Sequence, residues 1–139
     1  MQARCVCGAV TADLPGPSSQ IFACHCLDCQ RRTGSPFGVG AYYPAGMVTC
    51  SGQVTEFVRP TDAGGEFRTS FCSRCGTSVY WKTTGKPDMI GIAVGAIGDP
   101  AYPAPAASLW ERSKHPWMSI ETASENLPRG WGTYPSCAG

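Results

Sequence analysis

The segment CHCLDC, Cys24-His25-Cys26-Leu27-Asp28-Cys29, places three thiols within six residues. Two further sulfur pairs bracket it, Cys5-Val6-Cys7 upstream and Cys72-Ser73-Arg74-Cys75 downstream. Nine cysteines in CxC and CxxC spacings, an odd number, read as metal ligands rather than as a disulfide framework. Structural zinc takes four thiolate or imidazole ligands in a tetrahedron, whereas a catalytic zinc keeps three protein ligands and one open position. Cys5, Cys7, Cys72 and Cys75 count to four. They make a closed site that joins the first strand to the middle of the chain and contributes folding energy directly. Gly76 follows the second pair and suits the tight turn of a zinc knuckle.

Cys24, Cys26 and Cys29 remain as three ligands with an unfilled fourth position. Side chains alternate in extended backbone, so with Cys24 and Cys26 turned to an ion, His25 points the other way. Cys50 or Cys137 would complete a second closed site. Cys50, however, lies in an apolar strand and reads as a small buried hydrophobe, and Cys137 reads as part of a terminal tail. An iron–sulfur cluster calls for four ligands and a different spacing. Zinc is thiophilic, so a thiol cosubstrate is the natural occupant of an open site.

The 139 residues suffice for one domain with a modest core that two metal sites would reinforce. No apolar run approaches membrane-spanning length. The N-terminus lacks the apolar region of a signal peptide, so a reducing, cytoplasmic setting is expected. Eleven basic and ten acidic residues give a net charge of +1 with no basic stripe. Neither nucleic acid nor a membrane surface is therefore an expected partner. A small molecule or a protein is. The oligomeric state stays open, a homodimer included.

Short apolar runs separated by Gly/Pro turns predict an all-β fold of short antiparallel strands with zinc knuckles. Strands are expected over residues 8–14, 20–24, 37–43, 66–72, 77–82 and 89–94, with a last one at Leu109-Trp110. Residues 27–33 read as one or two helical turns stopped by Gly34 and Pro36. Residues 47–50 and 54–58 flank Ser51-Gly52 and suggest a hairpin. The 66–72 and 77–82 strands form a hairpin that carries Cys72 and Cys75. Residues 1–120 make the domain, and 121–139 an irregular tail packed on it or trailing it.

The segments CVCGAV (5–10), CHCLDCQRRTGSPFG (24–38), FCSRCGTSVYW (71–81) and VGAIGDP (94–100) occur in an order that resembles the glutathione-dependent formaldehyde-activating enzyme family, which includes the centromere protein V type domains. The resemblance implies a β-tent zinc fold. It implies Cys5, Cys7, Cys72 and Cys75 as the structural site and Cys24, Cys26 and Cys29 as ligands of a second zinc. The implied activity is a carbon–sulfur lyase reaction, condensation of formaldehyde with glutathione to S-hydroxymethylglutathione. Family members often carry a histidine where Ser108-Leu109-Trp110 stands here.

A thiol at the open position would be held as thiolate and attack a small aldehyde, or the adduct would be cleaved in reverse. Zinc on three thiolates has a net charge of about −1 and is a weaker Lewis acid than zinc on neutral imidazoles, which favours thiol chemistry over water activation. Asp28 is a proton acceptor or a turn former. Arg31 and Arg32 suit the carboxylates of a glutathione-like thiol, or form a solvated helical face. Ser35 donates to a bound carbonyl or ends the helix. His115, Trp110 and Trp117 wall a pocket, or the tryptophans pack in the core. Two other functions fit the same ligands: a zinc-dependent hydrolase of an imine or thioester, and a non-catalytic zinc module that binds a protein.

Overall fold

A computed structural model describes residues 1–120 and 125–127. Gln2–Arg4 (β1), Thr11–Asp13 (β2) and Thr49–Ser51 (β5) form a three-stranded antiparallel sheet in the order β1-β2-β5. Eight strands form the larger sheet. They are Ile21–Cys24 (β3), Gly38–Pro44 (β4), Val54–Pro60 (β6), Glu66–Cys72 (β7), Ser78–Thr83 (β8), Met89–Ala93 (β9), Ala107–Leu109 (β10) and Glu125–Asn126 (β11). Their order is β11-β10-β3-β4-β9-β8-β7-β6. Two short helices, Leu27–Thr33 (α1) and Val94–Ile97 (α2), interrupt the strands. The all-β expectation therefore holds, and no described helix is long and apolar enough to cross a membrane.

The main core takes side chains from both sheets: Ala3 and Ala12 from the smaller, and Ile21, Ala41, Val79 and Ile92 from the larger. A second cluster surrounds Cys24, Cys26 and Cys29. A third consists of Tyr42, Phe67 and Trp81. Trp81 pairs across the ladder with Gly91, and its indole lies against Gly91 and Gly40, where any Cβ would overlap it.

The expected β7–β8 hairpin is present, with Phe67 opposite Thr83 and a register shift at Ser70/Phe71. The helical turns expected over 27–33 are α1 itself. Gly34 closes it in the left-handed conformation at φ 66°, which a glycine adopts at no steric cost.

Several expectations need correction. The strand expected from residue 8 begins at Thr11, because Cys5–Gly8 turns as a knuckle, with Gly8 N–H donating to Cys5 O at 3.0 Å. Residues 47–50 and 54–58 do not form the expected hairpin. β5 pairs with β2 and β6 with β7. Gly52, at φ 100°, lies against the Ala9 backbone with no room for a Cβ, so the chain crosses from one sheet to the other there. The strand expected to reach Val94 ends at Ala93, where α2 begins. β10 runs parallel to β3, and β11 parallel to β10. Parallel pairing needs a long connection, and the whole run from α1 through β9 and α2 separates β3 from β10 in sequence. Of the segment expected as an irregular tail, Glu125–Asn126 joins the sheet edge as β11. Residues 121–124 and 128–139, with Cys137, lie outside the described residues.

Candidate metal centre and adjoining clefts

Cys5 and Cys7 lie in the turn between β1 and β2. Cys72 ends β7, and Cys75 closes the turn before β8. Their four sulfurs all lie within 4.8 Å of one another. Cys5 Sγ is 3.6 Å from Cys7 Sγ, and Cys7 Sγ is 3.7 Å from Cys72 Sγ. A tetrahedron with zinc–sulfur bonds of 2.3 Å sets its sulfurs about 3.8 Å apart, whereas a disulfide needs about 2.05 Å.

Backbone N–H groups aim at the sulfurs. Val10 N–H donates to Cys5 Sγ at 3.2 Å, and those of Arg74 and Cys75 to Cys72 Sγ at 3.4 and 3.5 Å. The Thr77 hydroxyl sits 3.2 Å from Cys75 Sγ and, with nearby backbone N–H groups, draws that thiol down to about 5. Cys7 goes the other way. The Ala9 backbone favours its thiolate, but desolvation and the neighbouring Cys5, Cys72 and Cys75 outweigh that and push it up to about 11. Four clustered thiols cannot all ionise without a counter-charge, which a divalent cation would supply. The donor set fits zinc.

Cys24 ends β3, Cys26 caps α1 and Cys29 lies in its first turn. All three are buried, and their sulfurs lie within 4.8 Å of one another. Cys29 N–H donates to Cys26 Sγ at 3.3 Å. No further His, Cys, Asp or Glu among the described residues brings a ligand atom within that distance of all three. Cys50 lies on β5 in the smaller sheet. The set fits a thiophilic ion with three protein ligands.

Ala107, Leu109 and Trp110 pack against the three cysteines. Trp110 sits in the left-handed region at φ 56°, an uncommon conformation for a bulky residue. Its burial beside the thiols holds it there.

His25 has no exposed surface. Its Nε2 is 2.9 Å from Ser108 Oγ on β10 and 3.9 Å from Glu111 Oε2. Nδ1 is buried without a hydrogen-bond partner. Burial favours the neutral imidazole against the pull of Glu111. Gln30 fixes this region: its Nε2 donates to His25 O at 2.9 Å and Ser113 O at 3.1 Å, and its Oε1 meets His115 Nε2 at 3.0 Å.

A cleft of about 430 Å³ is lined by Arg32, Phe37, Gly38, Thr77, Val94 and Gly95 among others, with none of the three cysteines in its walls. Gly38 links the two. A Cβ there would stand 3.7 Å from Cys29 Cβ and 2.8 Å from Arg32 Nη2. Arg32 lies over the Trp81 ring at 4.5 Å, and its Nε is buried without a partner. A second cleft of about 320 Å³ lies beyond Arg32, with Asp28, Arg31, Arg59 and Thr69 in its walls.

Asp28 directs Oδ2 to Arg59 Nη1 at 3.5 Å. Ser35 lines neither cleft; its backbone N–H donates to Thr33 Oγ1 at 3.1 Å. Trp110 is core, but Trp117 is 71% exposed and faces His115 at 5.4 Å. The core expectation therefore fails for Trp117, and neither it nor His115 lines these clefts. Arg59, Ser108 and Glu111 escaped the sequence reading, since each reaches the site only through strand pairing or a loop return; Gln30, next to Cys29 on α1, escaped it because its partners His25 O, Ser113 O and His115 are set by the fold.

A family model described as glutathione-dependent formaldehyde-activating enzyme matches residues 1–113. A search of curated proteins returned no match. Among solved structures, the chain is similar to a Rhodobacter sphaeroides protein determined as a structural-genomics target. The two share 23% identity at a TM-score of 0.55, over 69% of this chain and 86% of that one. At that identity the likeness concerns the fold.

Proposed function

The chain belongs to the glutathione-dependent formaldehyde-activating enzyme family, and from that premise we propose that it is a zinc-dependent carbon–sulfur lyase that forms or cleaves the adduct of glutathione with a small aldehyde. With formaldehyde the product is S-hydroxymethylglutathione. The observation that carries this reading is a convergence. Residues 37–39, 76–78 and 93–96, far apart in sequence, line one cleft, and one of its wall residues, Gly38, also lies against Cys29.

Cys24, Cys26 and Cys29 would hold one zinc, and Cys5, Cys7, Cys72 and Cys75 the other. When bound at the three-cysteine set, zinc supplies Lewis acidity that favours the thiolate form of a thiol cosubstrate. The chain's own groups position the reactants. Arg32, fixed on Trp81 with an unpaired Nε, takes a carboxylate of the thiol. Arg31, on the same helix, adds long-range attraction. Phe37 and Val94 give the cleft apolar walls that limit water beside the reacting sulfur. The reaction makes one sulfur–carbon bond to the aldehyde carbon, and the thiol proton ends on the former carbonyl oxygen. Thiols of this kind stay available in a reducing compartment, which is the basis for assigning the cytoplasm.

Exchange NMR of formaldehyde with glutathione tests the assignment. Zinc-loaded protein should accelerate exchange above the spontaneous rate, and Cys26→Ser should abolish the acceleration. A rate unchanged by the wild-type protein would sink the lyase assignment and leave hydrolysis of another small electrophile.

A further inference from the structure

The second cleft, beyond Arg32, shares Arg31 and Arg32 with the chemistry described so far, and its other walls are charged as well. Arg31 and Arg32 of α1 and Arg59 of β6 converge there with Thr69 of β7. Among its lining side chains a single carboxylate, Asp28, opposes three guanidiniums. Asp28 is engaged with Arg59, so an excess of positive charge faces the cleft.

Two of the three arginines are held in place before any ligand arrives. Arg59 lies over the Phe67 ring at 4.4 Å and Arg32 over the Trp81 ring at 4.5 Å. Those two rings stack on each other with centroids 5.7 Å apart. A guanidinium fixed on an aromatic face loses little freedom on binding a planar anion, and Arg59 is held further by Nη1, which donates to Pro60 O at 3.3 Å. Arg59 is also largely withdrawn from solvent, with 18% of its side chain exposed, which strengthens its pull on a charge.

Arg32 and Ser78 line both clefts, so the two adjoin at these residues. An extended tripeptide spans roughly 10 Å, enough to reach from one to the other. We propose that Arg59, with Arg31 and Thr69, forms a second carboxylate subsite, so that the thiol straddles Arg32 and thiols with two carboxylates are selected over smaller ones. Asp28 then acts as a positioning residue that orients Arg59. This rests on the thiol-adduct function and names the feature of the thiol that the site selects.

Titration calorimetry of zinc-loaded protein with S-methylglutathione, which has no free thiol, reads this subsite apart from the chemistry. Arg59→Gln and the exposed Arg31→Gln should each weaken binding about tenfold or more, the usual scale for losing a charge-assisted contact. Arg31→Gln should keep the wild-type melting temperature, which covers the case in which Arg59→Gln disturbs the fold. One of the two S-methylglutathione mono-amides should bind the wild type about tenfold more weakly and lose its sensitivity to Arg59→Gln. Unchanged binding in both variants, or a wild type that does not bind S-methylglutathione, would overturn the subsite. Formaldehyde exchange run on the same samples separates the two ideas. Arginine-dependent binding without acceleration would sink the lyase function and leave the subsite standing.

Discussion

Gly91 and Gly38 lie on neighbouring parts of the same sheet, yet a methyl group at each has different consequences. At Gly91 a Cβ overlaps the Trp81 indole, a rigid buried ring clamped by Tyr42 and Phe67. Gly91→Ala should therefore cost about 1–3 kcal/mol, the usual range for overpacking, read by chemical denaturation. At Gly38 the nearest atom is the far end of Arg32, 2.8 Å away, and a long side chain can move. Gly38→Ala should fold with near-wild-type stability but displace Arg32, raising the KM for glutathione several-fold with a smaller change in kcat. A shared loss of stability in both variants would contradict this division.

Helix α1 does three jobs in seven residues. Its first turn carries Cys29, its last turn presents Arg31 and Arg32, and Gln30 ties its middle to the loop after β10. The short span makes the Gln30 clamp important, because a helix this length has little stability of its own. Gln30→Ala removes donors from His25 O and Ser113 O. It should cost about 1–3 kcal/mol, the range for leaving buried groups unpaired. It should also weaken zinc at the three-cysteine set while leaving zinc at the four-cysteine set unchanged, measured by competition with a chromogenic chelator. The two knuckles rely on close backbone N–H groups instead, so they should not respond.

At the level of the whole molecule, the four-cysteine set staples the smaller sheet to the larger one, with Cys5 and Cys7 beside β1–β2 and Cys72 and Cys75 at the β7–β8 turn. Binding of a structural zinc is worth about 10–16 kcal/mol, comparable to the entire stability of a domain at about 5–15 kcal/mol. Cys72→Ser should therefore unfold the protein. Cys26→Ser should remove one zinc and the activity but keep the fold, because the main core between the sheets does not include the three-cysteine set. Metal analysis should find two zinc per chain in the wild type and one in Cys26→Ser, and circular dichroism should separate the two variants. Equal unfolding in both would refute the division into a structural and a reactive site.

What the sequence by itself determined was local. The cysteine spacings set the two knuckles and divided the thiols into four and three, and Gly34 stopped α1 where expected. The β7–β8 hairpin followed from two alternating runs around one knuckle. In each case the physical information lies within a few residues. The tertiary structure alone decided the partners that meet across distance. β5 left β6 for β2 because Gly52 had to pass the Ala9 backbone. β10 entered parallel to β3 and put Ser108 on His25. β6, on the far edge of the sheet, brought Arg59 to Asp28. Strand pairing is set by the summed packing of both sheets rather than by any one segment. The grouping of seven cysteines into two clusters that could hold metal was therefore legible from spacing, while the walls of the clefts were not.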